Sequence, residues 1–314
     1  RKRPDALNLT LTALKYQRVE GFEVIAVTDT MPPGWDDPPF LLKVIPFSEP
    51  NISRARNLGI AAARGEVLAL CDDDAVPEYD WLAELVDPFK NDRVGSATGY
   101  VRGRDGIGYQ WQTVLFNRAG NDVLTNDSRE SALYPPGTET MVKTVGCNSA
   151  FRRTALEAVG GFDEAFHFFL DETDLNVRLN RAGWQTAVIP SAEVHHSFAA
   201  SRNRNARKVP RRLFEIGASK AYFCKKYLSL KERQADLDRF RAGQTKRLDR
   251  HYHFGLLGAR KRANLLRQLE AGMATGLDRR QNVPELESAS ESIPTLKPRE
   301  RTRHLIIAKP NPGC

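Results

Sequence analysis

The stretch LALCDDDAVPEYDW, residues 68–81, carries an apolar run straight into three adjacent aspartates. Residues 66–71, EVLALC, are apolar on both faces, as a central parallel strand must be. Ligands of open parallel sheets bind beyond the carboxyl ends of the strands, and Asp72, Asp73 and Asp74 stand at such an end. Three carboxylates side by side repel one another. A solvated acidic turn is the plain reading of an isolated DDD. The functional reading is a divalent cation with hard oxygen ligands, magnesium or manganese, carried on one or two carboxylates and substrate phosphates.

Outward from this point the chain alternates strand and helix patterns. FEVIAV (22–27) and FLLKVIPF (40–47) read as strands, separated by the loop signal TDTMPPGWDDPP. NISRARNLGIAAARG follows as a helix, with Asn51 as N-cap and Gly65 as C-cap. YDWLAELVDPF reads as a helix and GSATGYVRG as a strand. TALEAV (154–159) reads as a short helix closed by Gly160 and Gly161. LDETDLNVRLNRAGW gives a stronger helix, with Leu175 and Leu179 as its apolar stripe and an Asp174–Arg178 pair at i,i+4. QTAVIP and AEVHH look like two closing strands. Residues 104–142 have weak periodicity and are expected to form a loop-and-helix excursion. The alternation predicts a mainly parallel sheet with helices on its faces.

The 314 residues are 41% apolar and 27% charged, a globular composition with no apolar run long enough to span a membrane and no secretory leader. None of the cysteines, Cys71, Cys147, Cys224 and Cys314, forms a CxxC pair, so spacing suggests neither a zinc site nor a redox motif. A reducing, cytoplasmic setting is expected. The net charge of +8 hides an asymmetry. Residues 201–314 hold 27 Lys+Arg against 11 Asp+Glu, whereas residues 1–200 are net acidic. A solvated helical surface explains such a basic region; so does attraction to an anionic membrane face, which would make the protein peripheral at the inner membrane surface. Aromatic residues are sparse there and no nucleic-acid reader motif occurs, so no nucleic-acid partner is expected.

The aspartate triplet has company. Asp29 follows a strand of its own, LDETD opens a helix with three acids, and VHH ends a strand. In order and spacing, ARNLGIAAARGEVLALCDDDAVPEYDWL, VGCNSAFRRTALEAVGGFDEAF and FFLDETDLNVRLNRAGWQTAVIPSAEVHH resemble an inverting family 2 glycosyltransferase with the GT-A fold, over about residues 2–201. The resemblance implies a metal-dependent transfer of sugar from a nucleoside-diphosphate sugar to a glycan or lipid-linked acceptor. It implies that Asp29 contacts the nucleoside and that Arg56 lies near the nucleotide. Asp72 and Asp74 form the DxD pair, with Asp73 between them at the donor. Gly146, Cys147 and Asn148 belong to the loop near donor sugar and acceptor. Glu172 takes the catalytic-base position, with Asp171 beside it as the alternative, and His196 or its neighbour His195 completes the Mn2+ or Mg2+ site.

Two departures stand out. The chain opens on RKRPDAL, which matches the piece after the family's first strand, so that strand is missing from its usual place. Another strand, from this chain or from residues outside it, is expected to cover the strand edges near Ile25 and Leu70, and RHLIIA (303–308) is the candidate within the chain. The acidic pair also runs Asp171–Glu172, the reverse of the family's usual order. The organisation expected is a GT-A catalytic region over 1–201, a basic helical extension over 202–280, and a linker with a terminal strand-like segment over 281–314. A nucleotidyltransferase of related fold and a non-catalytic nucleotide-sugar-binding relative are the competing readings.

Overall fold

The computed structural model describes residues 4–123, 128–197, 205 and 207–286, together with the backbone of 304–308. Helix α1 (Pro4–Lys15) starts on a proline, whose missing N–H costs nothing at a first helical position. Its buried stripe is Leu7, Thr10, Leu11 and Leu14. Strands β1 (Glu23–Thr28), β2 (Leu41–Pro46), β3 (Val67–Leu70), β4 (Ala75–Pro77), β5 (Val94–Arg102), β11 (Ser149–Arg152), β12 (Gln185–His196) and β13 (His304–Ala308) form the spine of the main sheet, in the order β2-β1-β13-β3-β11-β5-β12-β4. Strands β6 (Tyr109–Trp111) and β9 (Ala132–Tyr134) extend it beside β5 and β12. All but β11 and β4 of the spine run the same way. The result is the mixed, mainly parallel sheet that the alternation of strands and helices predicts.

The strand expected to replace the missing one is β13. It pairs in parallel with β1 on one side and β3 on the other, and Ile306 stands in register with both Ile25 and Leu70. The two strand edges that would otherwise lie open in the middle of the sheet are thereby closed. Most of the expected 281–302 linker, from residue 287, lies outside the described residues.

Helices α2 (Ile52–Ala62), α3 (Trp81–Val86), α4 (Arg153–Val159) and α5 (Asp171–Arg181) flank the sheet. Asn51 caps α2 as read, accepting from Arg54 N at 3.1 Å. The helix ends at Ala63 rather than Gly65, whose carbonyl accepts from Arg153 instead. Gly160 and Gly161 close α4 in the left-handed region that glycine enters freely. Two expectations are corrected. QTAVIP and AEVHH are one strand, β12, with a register irregularity between Ile189 and Val194 that accommodates Pro190. The 104–142 excursion contains no helix among its described residues; besides β6 and β9 it forms a small three-stranded sheet of β7 (Leu115–Phe116), β8 (Asp122–Val123) and β10 (Met141–Val142).

The basic segment forms α6 (Phe214–Tyr227), α7 (Leu230–His253) and α8 (Ala259–Asp278). Helices α6 and α8 cross closely at Gly272 and Gly276, where a Cβ would fall 2.0 Å from the Phe214 carbonyl oxygen and 2.1 Å from that of Ala218. Helix α6 also anchors α5. Lys226 Nζ lies 2.8 Å from Asp163 and 2.6 Å from Asp174, and Tyr227 donates to Asp174 at 2.7 Å. The expected Asp174–Arg178 pair is present at 2.8 Å. Asp174 is fully buried, so these partners satisfy a carboxylate that would otherwise be costly there.

Candidate active site

Two groups of side chains meet beyond the carboxyl ends of β1, β13 and β3. The first is built on the aspartate turn. Thr10 of α1 donates to the Asp73 carbonyl (3.2 Å) and the Ala75 carbonyl (2.9 Å), which holds the turn in place. Strand β12 pairs antiparallel with β4 so that His196 faces Ala75, and Ser197 N donates to the Asp74 carbonyl at 3.0 Å. His196 Nε2 therefore arrives 3.2 Å from Asp74 Oδ1 and 4.0 Å from Asp72 Oδ2. Its other ring nitrogen meets Gln110 Oε1 at 3.1 Å. Burial pushes the Asp72 carboxyl up to about 6, while His196 and Arg56 pull it back and its aspartate neighbours add to the rise.

Between the two candidate histidines, the register decides for His196. Successive strand residues point to opposite faces, and His195 is turned to the other side, against Glu78. His195 is not part of the cluster. Asp73 is buried, with its carbonyl tied to α1, and it is absent from the grouping of donor atoms formed by Asp72, Cys147 and His196. Asp29 is exposed immediately after β1, at the same edge of the sheet but two strands from the triplet.

The second group is centred on Arg56, which is 1% exposed and reaches from α2 to the start of α5. Its guanidinium bonds Asp171 Oδ2, and its second terminal nitrogen bonds Glu172 Oε1 at 2.9 Å. Burial alone would lower the Arg56 pKa, but Glu172, Asp171 and Asp72 outweigh it and hold the guanidinium charged. The two acids then separate. Asp171 is 2% exposed, and burial together with the neighbouring Glu172 charge raises its carboxyl well above the usual range. Glu172 keeps 19% of its side chain exposed. Burial would raise it too, but Arg56 and hydrogen bonds from the backbone, Asp171 and Arg56 leave it lowered. One carboxyl is thus enclosed with its pKa raised, the other partly exposed with its pKa lowered.

The start of α5 is set by an unusual turn. Phe169 and Leu170 both have positive φ, 72° and 64°. Such strain in non-glycine residues persists only where surroundings enforce it, and it clusters at functional sites. Here Ser53 donates to the Phe166 carbonyl (2.6 Å), Asn57 to that of Phe162 (2.9 Å) and Ser219 to that of Phe168 (2.7 Å). The sequence gives no warning of this turn, nor of Gln110 behind His196.

The 146–148 loop divides its work. Gly146 is required by close approach: a Cβ would fall 2.0 Å from the Arg56 guanidinium and 2.1 Å from Glu172 Oε1. Cys147 is buried and faces Asp72 and His196. Asn148 takes a supporting part in this loop. Its side chain is fully buried, donating to the carbonyls of Tyr100 (2.8 Å) and Ala192 (2.7 Å) and accepting from Trp81 Nε1 (2.7 Å). With its amide spent this way, it pins the loop to the core. Asn148→Ala should destabilise the fold by on the order of 3 kcal/mol, because buried partners are left unsatisfied. Urea denaturation measures this, and a loss under about 1 kcal/mol would contradict the pinning role.

Residues 1–160, half of the chain, match the family described as Glycosyl transferase family 2. The chain belongs to glycosyl transferase family 2. This family 2 chain is 46% identical over 54 residues to the N-acetylglucosaminyl-diphospho-decaprenol L-rhamnosyltransferase of Mycobacterium tuberculosis, a stretch that is 17% of this chain and 18% of that protein. It is 28% identical over 222 residues to the O-antigen biosynthesis protein RfbC of Myxococcus xanthus, covering 65% of this chain and 17% of that one. The matches thus span under a fifth of these relatives' length. Among solved structures, S. aureus TarS 1-349 is similar at 16% identity, with 79% of this chain and 68% of that chain covered and a TM-score of 0.49.

Proposed function

We propose that this chain is a metal-dependent inverting glycosyltransferase that moves a sugar from a nucleoside-diphosphate sugar to an acceptor hydroxyl, in polysaccharide or glycolipid synthesis. The observation that carries this reading is the arrangement at the start of α5: an enclosed Asp171 and a partly exposed Glu172, both bonded to Arg56, close to the Asp72–Asp74–His196 cluster.

The donor set fits a divalent cation. His196 Nε2 lies 3.2 Å from Asp74 Oδ1 and 4.0 Å from Asp72 Oδ2, and these residues would hold Mn2+ or Mg2+. Such an ion acts as a Lewis acid that offsets charge on a diphosphate as the sugar leaves. The remaining chemistry belongs to the chain. Glu172 accepts the proton of the acceptor hydroxyl as that oxygen attacks the anomeric carbon. One base and one displacement invert the configuration. Asp171 supports Glu172, Arg56 orients the Glu172 carboxylate, and Asp29 serves the nucleoside.

The test is a panel of nucleotide sugars with the full chain and Mn2+, followed by sugar release and transfer. Metal-dependent cleavage of one donor supports the proposal. Nucleotide binding without turnover of any donor would favour a non-catalytic relative, and pyrophosphate release from a nucleoside triphosphate would favour a nucleotidyltransferase.

A lipid-linked acceptor suits the basic extension, and the name of the mycobacterial relative includes a diphospho-decaprenol. No helix of the described residues is long and apolar enough to cross a membrane. Peripheral docking through α6–α8 is therefore the proposed route to such an acceptor. Anionic vesicles should co-sediment the protein at low salt and release it as screening shortens the Debye length to ~8 Å. No binding at low salt would contradict docking.

A further inference from the structure

The proposed metal site contains a donor that an oxygen-seeking cation does not need. Cys147 Sγ, a carboxylate oxygen of Asp72 and a ring nitrogen of His196 all lie within 4.8 Å of one another. They come from three separate parts of the chain: the turn after β3, the loop before β11 and the end of β12. The sulfur is free of any disulfide and 5% exposed, and His196 is 7% exposed. The loop has little freedom to withdraw it. Asn148 N donates to the Val145 carbonyl at 2.8 Å across the tight turn, and the Asn148 amide is bonded to the core at three points.

The imidazole is oriented as well. The Nδ1 of His196 meets Gln110 Oε1 at 3.1 Å, while Nε2 faces Asp74 and Asp72. Outer partners that orient a histidine ring in this way are characteristic of metal ligands.

We propose that Cys147 is a metal ligand, so that this site takes a thiophilic divalent cation of the Zn2+ or Co2+ class through a sulfur–metal bond, in preference to Mg2+. The inference rests on the metal reading of Asp72, Asp74 and His196. Oxygen donors suit magnesium and manganese, whereas thiolate and imidazole favour zinc and its neighbours. Forming the bond releases the thiol proton to solvent, and the sulfur lone pair binds the cation; nothing is oxidised or reduced. Spacing in the sequence could not show this, because the cysteine is alone and its partners are 75 and 49 positions away.

Cobalt reports on the ligand directly. The full chain, freed of metal, is titrated with Co2+ and followed by absorption and by calorimetry. The expected result is saturable binding with a near-ultraviolet sulfur-to-cobalt charge-transfer band, bleached by Zn2+ but not by equimolar Mg2+. The band should vanish in Cys147→Ser and persist in Cys224→Ser, whose thiol lies in the helical extension. If Cys147→Ser does not fold, Cys147→Ala and the Zn2+ bleaching of the wild type carry the same test. Saturable Co2+ binding with no charge-transfer band, or a band that survives removal of Cys147, overturns the sulfur ligand and leaves the metal site standing. No saturable Co2+, Mn2+ or Mg2+ binding by calorimetry overturns both.

Discussion

Glu172→Gln is expected to lower the transfer rate by about 10²–10⁴-fold, the usual cost of a lost general base, with nucleotide affinity essentially unchanged. The substitution keeps the shape of the side chain and removes its ability to take a proton. Nucleotide affinity should survive because the proposed diphosphate site lies elsewhere, at the Asp72–Asp74–His196 cluster. Asp171→Asn is the informative partner. Asp171 is buried and less accessible than Glu172, so replacing its carboxyl with an amide should cost far less in transfer. Steady-state transfer and nucleotide titration of the two variants side by side decide the matter. Near-normal transfer by Glu172→Gln, with Asp171→Asn inactive yet still binding nucleotide, would make Asp171 the base.

Ile306→Pro is expected to destabilise the whole fold by about 3 kcal/mol or more. Position 306 lies in the strand that separates β1 from β3, in register with Ile25 on one side and Leu70 on the other. A proline there cannot donate to either ladder, and its ring disturbs the pairing of a central strand. The strands it would release, Val24–Val27 and Val67–Leu70, are fully buried. Their exposed edges should then drive association, so the variant should melt early and elute as aggregate. A monomer with unchanged melting temperature would mean that β13 does not hold this place in solution.

The main sheet was legible because its strands announce themselves. VIAV and VLAL are apolar on both faces, and turn signals bound them. The small sheet of 104–142 was not legible, because two- and three-residue strands such as Leu115–Phe116 are too short to show a period. Pro190 looked like the end of a strand, and only pairing with β5 shows that an irregularity carries the chain through it.

At the site, residue types were readable and directions were not. Which of His195 and His196 joins Asp74 depends on strand parity, fixed by the pairing of His196 with Ala75. The resemblance puts Asn148 in the loop near the donor sugar and acceptor, and says nothing of where its side chain turns. Its three core bonds emerge only once Trp81, Tyr100 and Ala192 are brought together. The Phe169–Leu170 turn has no sequence signature at all, since the residues that adopt positive φ there are the wrong types for it.

A divalent cation and a nucleoside diphosphate are proposed to bind together at the aspartate turn. Calorimetric titration of nucleoside diphosphates into wild type and Asp74→Ala, each with Mn2+ and with chelator, checks this joint binding. Binding that requires Mn2+ in the wild type and is lost in Asp74→Ala is the predicted result. Nucleotide affinity that is the same with and without chelator, and unaltered by the substitution, would contradict it.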